Sequence, residues 1–316
     1  MPNLHFDPAK DIPDLSGKVI LVTGGTTGIG ATTIIELARH NPSHLIFTGR
    51  NADSAKATIA SATSAASSSG HETPKLTFLP CDLTDLSSVA SACNSLLPTL
   101  SRLDVVVLNA GIMAIPAAVS KDGYEIQFAT NHLGQAFLLR KSLPLLLSTA
   151  ESSPSSDVRV LILTSVAADF TPSDGITFSA LKSEQRSKLG GRWMRYGQSK
   201  LANLLYAKEI AKRFGPKGIK AVAVHPGVVE TGLVTKMGLG DKLLIYLPNV
   251  GRMLTPEQGA WNTLWAIATE RGKVEDGGFY TPVGKKGVLA EKWTKDGELG
   301  GRLWDWTEGE LKRWLE

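Results

Sequence analysis

The sequence predicts an α/β fold in which helices cover both faces of a doubly wound parallel sheet of about seven strands. Short apolar runs rich in β-branched residues alternate with longer helical patterns, which is typical of βαβ units. A glycine-rich turn joins the first apolar run to the first helical pattern. The length of 316 residues suits one large domain, which we expect to span residues 1–316.

The elements follow one another in a regular order. Two long connections, 169–195 and 230–255, follow the fifth and sixth strands at the edge where open α/β sheets hold ligands. They are expected to be substrate-pocket insertions, with plain surface insertions as the alternative. The predicted strands are residues 18–23, 44–48, 76–80, 104–108, 159–164, 220–225 and 278–281. The predicted helices are residues 29–40, 52–66, 86–97, 125–147 and 196–214.

Composition excludes several classes of protein. A hydrophobic fraction of 42% is ordinary for a globular protein, and a net charge of +4 without a long basic run argues against nucleic-acid binding. Cys81 and Cys93 have neither disulfide-framework nor metal-site spacing, so no metal is expected. Residues 1–14 carry several charges and no apolar core, so no signal peptide is expected, and no apolar run approaches the ~20 residues of a membrane helix. We therefore expect a soluble protein of a reducing compartment, the cytoplasm.

The turn at residues 23–30 has the pattern of a dinucleotide-binding site. Its glycines permit a tight turn, and N–H groups at the start of the following helix favour a pyrophosphate. Glycines at such a turn can also serve the backbone alone. The predicted cofactor contacts here are Thr23, Gly24, Thr26, Thr27, Gly28, Ile29 and Gly30.

After the second strand, where NAD sites commonly carry an acidic residue, the chain has Arg50 and Asn51. A guanidinium pairs with a ribose 2′-phosphate, so NADP(H) is the expected cofactor. The alternative is a solvated Arg50 in a site that accepts both cofactors. Asp82 is expected either to accept a hydrogen bond from the adenine amino group or to cap the next helix. The remaining predicted contacts on this side are Leu83, Asn109, Ala110 and Gly111.

Tyr196 and Lys200 stand four residues apart and therefore project from one face of a helix. A nearby ammonium favours the phenolate and lowers the pKa of a tyrosine from its usual value of about 10. Such a phenol can serve as an acid or base toward an alcohol or carbonyl oxygen. Alone, the pair is more often an ordinary feature of an amphipathic helix.

The order of these motifs carries a family resemblance. With the glycine turn, Asn109-Ala-Gly, Asn131, Ser165 and Tyr196-x-x-x-Lys200, the chain resembles the short-chain dehydrogenase/reductase family, which has a Rossmann fold, over residues 17–231. The segments Asn131-His-Leu-Gly and His225-Pro-Gly-Val-Val-Glu-Thr are similar to the branch of retinol dehydrogenases and fungal reductases. The segment Gly278-Phe-Tyr-Thr-Pro-Val-Gly-Lys is similar to the fungal members, which suggests fungal secondary metabolism.

The resemblance implies a role for each residue. Tyr196 would be the proton donor in reduction, and Ser165 would bond the substrate oxygen. Lys200 would hold the nicotinamide ribose and lower the Tyr196 pKa, while Asn131 would place a water that links Lys200 to solvent. The duller alternatives are that Ser165 only ends a strand and that Asn131 only bonds its own helix. The implied contacts of the nicotinamide and phosphate are Pro226, Gly227, Val229 and Thr231, of which Thr231 alternatively caps a helix.

The implied function is an NADP(H)-dependent oxidoreductase, a ketone reductase or alcohol dehydrogenase that moves a hydride between the nicotinamide and a carbonyl or secondary alcohol. The alternatives are reduction of a carbon–carbon double bond, a cyclisation, or an NADP(H)-binding redox sensor without catalysis. Because family members are often dimers or tetramers, a homodimer or homotetramer is expected. A small molecule is the expected partner, with neither nucleic acid nor an integral membrane segment.

Two segments bear on the substrate. The connection 169–195 lengthens the spacing between Ser165 and Tyr196 beyond that of typical family members. Its basic residues favour an anionic substrate or form a solvated face. The apolar residues 243–247 are expected to be core or intersubunit packing, a lid over an apolar or polyketide-like substrate, or a weak membrane-surface contact. The basic residues are Lys182, Arg186, Lys188, Arg192 and Arg195.

Overall fold

The computed structural model describes residues 5–187, 190–235, 238–295 and 297–315. The strands in these residues form one eight-stranded sheet. The strand order is β3-β2-β1-β4-β5-β6-β7-β8, and neighbours run parallel except β8, which is antiparallel to β7. The strands are β1 Val19–Val22, β2 His44–Gly49, β3 Lys75–Pro80, β4 Val105–Leu108, β5 Val158–Leu163, β6 Ile219–Val224, β7 Phe279–Thr281 and β8 Lys285–Lys286.

All the strands that the sequence predicts are present, and each end lies within one residue of its expected position. The strands are predictable because they are buried: β1, β4 and β5 are buried along their whole length. A parallel strand that is covered by helices on both faces reads as a continuous apolar run. The sequence does not predict β8, because its two exposed lysines lack any apolar pattern.

Helices flank both faces of the sheet. They are α1 Pro8–Asp11, α2 Gly28–Leu37, α3 Ala52–Ser68, α4 Leu86–Leu96, α5 Ile126–Phe128, α6 Gly134–Glu151, α7 Gly191–Phe214, α8 Gly232–Thr235, α9 Leu239–Tyr246, α10 Pro256–Ala268, α11 Glu291–Thr294 and α12 Glu298–Leu315. A π-helical segment, Ala129–Leu133, joins α5 to α6. In the described residues, no helix combines the length and the apolar character that crossing a membrane requires.

Several helices differ from expectation. The helix α7 begins five residues before the predicted start at 196, where Gly190 adopts a left-handed conformation with φ of 67°. Neither α10 nor α12 is predicted from the sequence, and the same is true of the short helices α1, α8, α9 and α11. For α10 a signal was present, because Thr255 and Gln258 form a capping box at its start.

The core has two layers. On one face of the sheet the apolar cluster joins α4, α6, α7 and α12, and on the other it joins α2, α3 and α10. The chain moves from β1 outward to β2 and β3, then returns to β4 on the opposite side of β1. This reversal opens a crevice at the carboxyl ends of β1 and β4, the usual ligand position in a doubly wound sheet.

Candidate active site

The glycine turn lies between β1 and α2, at the crevice. A Cβ atom on Gly30 would lie 2.3 Å from the Gly24 carbonyl oxygen and 2.6 Å from Asn109 Nδ2, so no side chain fits there. Thr27 precedes α2 and, within the described residues, its side chain makes no capping hydrogen bond. The positive end of α2 therefore faces the crevice without a protein oxygen from its own cap, which suits a pyrophosphate.

Thr23 and Asn109 hold the ends of β1 and β4 together. The amides of Asn109 and Ala110 donate to Thr23 Oγ1 at 2.9 and 3.0 Å, and Asn109 Nδ2 donates to the Thr23 carbonyl at 2.8 Å. Gln135, which the sequence analysis did not single out, bonds Thr23 Oγ1 at 2.6 Å and the Ala110 carbonyl at 2.7 Å. The side chains of Thr23 and Asn109 thus form hydrogen bonds inside the protein that hold the glycine turn against the loop after β4.

At the far end of the crevice, Arg50 Nη1 lies 4.0 Å from Asp82 Oδ2, and the Arg50 side chain is 69% exposed. Asp82 Oδ1 accepts from the amide and hydroxyl of Thr84. The suggestion that Asp82 caps the next helix is wrong, because Asp85 accepts from the first amides of α4 instead. The guanidinium is therefore accessible beside a partly exposed carboxylate.

Two other predicted cofactor contacts near Arg50 and Asp82, Asn51 and Leu83, also have structural roles. Asn51 caps α3, since its Oδ1 accepts from the Ser54 amide at 2.8 Å. Leu83 is buried in the core, and a Cβ on Gly134 would lie 2.3 Å from its carbonyl oxygen.

The segment after β6 closes over the glycine turn. A Cβ on Gly28 would lie 3.7 Å from the Thr231 methyl carbon, so Thr231 lies next to the glycine turn. Val229 is buried, and a Cβ on Gly259 of α10 would clash with it at 2.6 Å. Asn262 of α10, another residue that sequence reasoning missed, donates to the His225 carbonyl at 2.8 Å and so holds the start of this segment.

Tyr196, Lys200 and Ser165 meet at the carboxyl end of β5. Both α7 side chains are buried, and Lys200 Nζ lies 5.6 Å from the centroid of the Tyr196 ring. Ser165 hydrogen-bonds Tyr196, and its hydroxyl also accepts from the Ala167 amide at 3.2 Å. Lys200 Nζ donates to the Leu163 carbonyl at 3.2 Å. Ser165 thus caps the turn that follows β5 and lies beside Tyr196.

Burial sets the pKa values of the α7 pair. It raises the pKa of Tyr196 to about 12, while the hydrogen bond with Ser165 opposes this rise. The expectation that Lys200 lowers the Tyr196 pKa is thus not met in this structure, because loss of solvation penalises the phenolate more strongly. Burial also lowers the pKa of Lys200 to about 8. Near neutral pH the site therefore holds a neutral phenol and an ammonium.

Asn131 lies in the π-helical segment and links three elements. Its Oδ1 accepts from the Ile112 amide at 2.8 Å, and its Nδ2 donates to the Ile112 carbonyl and to Ser199 Oγ, each at 2.9 Å. A Cβ on Gly111 would lie 3.1 Å from Asn131 Oδ1 and 3.4 Å from Lys200 Nζ. The alternative that Asn131 only bonds its own helix is wrong, because its amide holds the loop after β4 against α7.

The basic residues of the connection 169–195 pair with carboxylates. Lys182 pairs with Glu310, Arg186 with Glu184, Arg192 with Asp241 and Arg195 with Glu125. Lys188 lies outside the described residues. Arg195 is buried, so it does not belong to a solvated face. The ion pairs also offset much of the positive charge that would favour an anionic substrate.

The second connection contacts the first through Asp241 of α9. Its buried carboxylate accepts from Trp193 Nε1 at 3.0 Å and from Arg192 Nη1 at 2.9 Å. Leu243 and Leu247 are 47% and 68% exposed, so the expectation of core packing within the chain is wrong for both. The side chain of Leu244 lies outside the described residues.

Comparisons with known proteins identify the family of this chain. The family model described as short chain dehydrogenase matches residues 18–241. A short-chain dehydrogenase/reductase of Aspergillus calidoustus is 39% identical over 96% of each chain. One of Armillaria gallica is 33% identical over 96% of this chain and 93% of its own.

Solved structures share the fold. An uncharacterized protein of Mycobacterium paratuberculosis is similar with a TM-score of 0.70 and 28% identity, over 97% of each chain. The NADPH-bound carbonyl reductase from chicken fatty liver has a TM-score of 0.63 and 23% identity over 86% of this chain and 99% of its own, a likeness of fold. The chain belongs to the short-chain dehydrogenase/reductase family, whose members are oxidoreductases that bind nicotinamide cofactors and act on small molecules.

Proposed function

We propose that this protein is an NADP(H)-dependent oxidoreductase that interconverts a carbonyl group and a secondary alcohol on a small apolar substrate. The observation that carries the proposal is the convergence of Ser165, Tyr196 and Lys200 at the carboxyl end of β5. Gly111, at the end of β4, lies next to Lys200 Nζ and connects this group to the crevice beside β1.

The protein supplies the proton. With a pKa near 12, Tyr196 keeps its proton at neutral pH and donates it to the carbonyl oxygen as that oxygen gains charge. Ser165 gives the same oxygen a second hydrogen bond, which stabilises the developing alkoxide. Lys200, whose pKa of about 8 leaves it mostly charged at neutral pH, would hold the nicotinamide ribose. The cofactor, when bound, supplies the hydride that reaches the carbonyl carbon.

Arg50 favours NADP(H) over NAD(H). Its exposed guanidinium, at the end of β2, can form a bidentate pair with a ribose 2′-phosphate. The Asp82 carboxylate, 4.0 Å from the Arg50 guanidinium, would repel a phosphate placed closer to β3. Asp82 therefore restricts where the 2′-phosphate can bind Arg50. Arg50→Ala should weaken NADPH binding by about tenfold and leave NADH binding nearly unchanged.

The cellular setting and assembly stay predictions. Cys81 and Cys93 are both free and buried, which supports a reducing compartment such as the cytoplasm. The homodimer or homotetramer that the resemblance implies is measurable by light scattering on the purified chain.

The experiment that tests the proposal follows NADPH oxidation at 340 nm against a panel of ketones, quinones and conjugated enones. Tyr196→Phe should abolish ketone reduction and leave the Kd for NADPH nearly unchanged. Tyr206→Phe is the matched control, because Tyr206 is buried on the same helix and its hydroxyl has no hydrogen-bond partner in the described residues. Turnover of enones alone would indicate double-bond reduction, and tight NADPH binding without any turnover would indicate a sensor.

A further inference from the structure

Trp193 occupies the first turn of α7, one helical turn before Tyr196. Residues three apart lie on the same helix face. The two rings contact edge to face, with centroids 6.3 Å apart and an angle of 81° between their planes. The indole is only partly buried, in contrast to the phenol. An aromatic surface therefore stands beside the proton donor and remains accessible.

The indole is held in place from the other long connection. Trp193 Nε1 donates to Asp241 Oδ1 of α9 at 3.0 Å, and the Asp241 side chain is 5% exposed. The second Asp241 oxygen pairs with Arg192 Nη1 at 2.9 Å, which compensates the buried charge. Because both bonds involve α7 and α9, the ring orientation depends on a contact between the two pocket segments.

A second aromatic side chain lies close to the same turn. Phe170 follows Ser165 in the chain and is 53% exposed. Its ring reaches within 3.8 Å of a Cβ built on Gly190, and its carbonyl oxygen would lie only 1.9 Å from a Cβ on Gly197. Val166, which directly follows Ser165, is also exposed. Phe170 and Val166 thus present exposed apolar side chains near the start of α7, and such side chains suit flat apolar ligands.

We propose that Trp193, anchored by Asp241, is a specificity-determining residue that packs against the substrate and selects aromatic or conjugated ketones over small aliphatic ones. This inference rests on the proposed carbonyl chemistry of Tyr196. Trp193 takes no part in proton transfer. It orients a planar substrate so that its carbonyl oxygen meets Tyr196 and Ser165.

The test compares kcat and KM for 2-acetylnaphthalene, acetophenone and 2-butanone. Trp193→Ala should raise KM for the two aromatic ketones at least tenfold and change KM for 2-butanone less than twofold, with the Kd for NADPH unchanged. Trp193→Phe keeps a ring but has no N–H for Asp241, so we expect an intermediate effect. The control is Trp261→Ala, a truncation on α10 where the ring packs against Phe6, which should leave the substrate preference unaltered.

The outcomes separate this inference from the proposed function. If Trp193→Ala slows all three ketones equally, or none, the specificity role is wrong while the function stands. If the wild-type protein reduces none of them, the proposed function fails for these substrates, and equilibrium dialysis of 2-acetylnaphthalene with the NADP⁺-loaded protein decides the inference. A loss of binding of at least tenfold in Trp193→Ala would support the role, and equal binding would overturn it.

Discussion

Lys200 is buried, and both its ammonium and its backbone carbonyl form hydrogen bonds at the end of β5. Its Nζ donates to the Leu163 carbonyl, and that carbonyl also accepts from Asn203 Nδ2 at 2.9 Å. Its own carbonyl accepts from Thr164 Oγ1 at 2.7 Å, which fixes α7 to the end of β5. If the ammonium is removed, the Leu163 carbonyl keeps its bond from Asn203 and the Lys200 carbonyl keeps its bond from Thr164, so the contributions of the charge to stability and to activity can be measured separately.

We expect the rate of carbonyl reduction to depend on the Lys200 charge. Because burial lowers the pKa of Lys200 to about 8, the ammonium is present below that pH and is lost as the pH rises through it. The Tyr196 phenol, with a pKa near 12, stays neutral from pH 6 to 10. The measurement is kcat/KM for a ketone over that range. It should be level at low pH and fall above about 8; a level profile up to pH 10 would contradict this assignment.

Replacing Lys200 by methionine should remove activity without reducing stability. Lowering the Lys200 pKa from 10.5 to about 8 corresponds to a cost on the order of 3 kcal/mol for burying the charge. The wild type bears the full cost below about pH 8, where Lys200 is charged in both the folded and the unfolded state, and none of it above pH 10.5. The gain in the free energy of unfolding of the variant should therefore be larger at pH 7 than at pH 10.5. Urea unfolding at pH 7 and 10.5 measures it. A variant that unfolds much more readily than the wild type at pH 7 would show that the ammonium stabilises the fold.

At the scale of elements, the start of α7 is fixed by a buried ion pair next to Tyr196. Arg195 Nε lies 3.2 Å from Glu125 Oε1, and its terminal nitrogens donate to the carbonyls of Ile115 and Gln185, each at 3.1 Å. Glu125 also accepts from the Phe128 amide at 2.7 Å. Burial raises the pKa of this carboxyl against the effect of Arg195. One side chain thus joins α7 to the loop before α5 and to the first long connection.

Breaking this pair should be costly. Arg195→Met leaves a buried carboxylate without its cation and should reduce the free energy of unfolding by about 3–5 kcal/mol. Adding Glu125→Gln should recover part of that loss, since the remaining group is neutral. The control is Lys273→Ala, which breaks an exposed pair with Glu270 and should cost no more than about 1 kcal/mol. Equal effects of the buried and exposed variants would refute the role of the pair.

The sequence predicts the strands and the meeting of Tyr196 with Lys200 well, because both depend on local patterns. Continuous apolar runs mark buried parallel strands, and the spacing of Tyr196 and Lys200 places them on one helix face. The Arg195 and Glu125 pairing is not predictable in this way, since the residues are far apart in the chain. Asp82 and Asp85 are equally good caps by composition, and only the backbone path selects Asp85.

At the scale of the whole molecule, α12 covers the helices that carry the site. Trp304 stacks on Tyr206 of α7 with centroids 5.5 Å apart, and Thr307 Oγ1 bonds His132 Nε2, next to Asn131, at 3.0 Å. Arg140 of α6 forms a two-pronged pair with Glu308. Three glycines within α12 lower its helix propensity, so packing against α6 and α7 stabilises it, which explains why sequence reasoning missed it.

Trp304→Ala should therefore destabilise the entire domain. The indole is buried between Tyr206 and the Arg213 guanidinium, which lies 4.4 Å from its centroid. Its removal should cost about 3–5 kcal/mol of unfolding free energy. The KM for NADPH should change little, because Trp304 does not border the crevice. Thermal and urea unfolding measure the first effect, and a stable variant with altered NADPH binding would contradict both expectations.

The central claim is that Tyr196 gives a proton to a carbonyl oxygen while NADPH gives a hydride to its carbon. The most direct measurement uses NADPH with deuterium at both C4 positions and follows label in the alcohol product by mass spectrometry. The wild-type protein should transfer one deuterium to the carbinol carbon in each turnover, and Tyr196→Phe should bind the labelled cofactor but yield no labelled alcohol. Unlabelled alcohol from the wild type, or labelled alcohol at a similar rate from Tyr196→Phe, would contradict the claim.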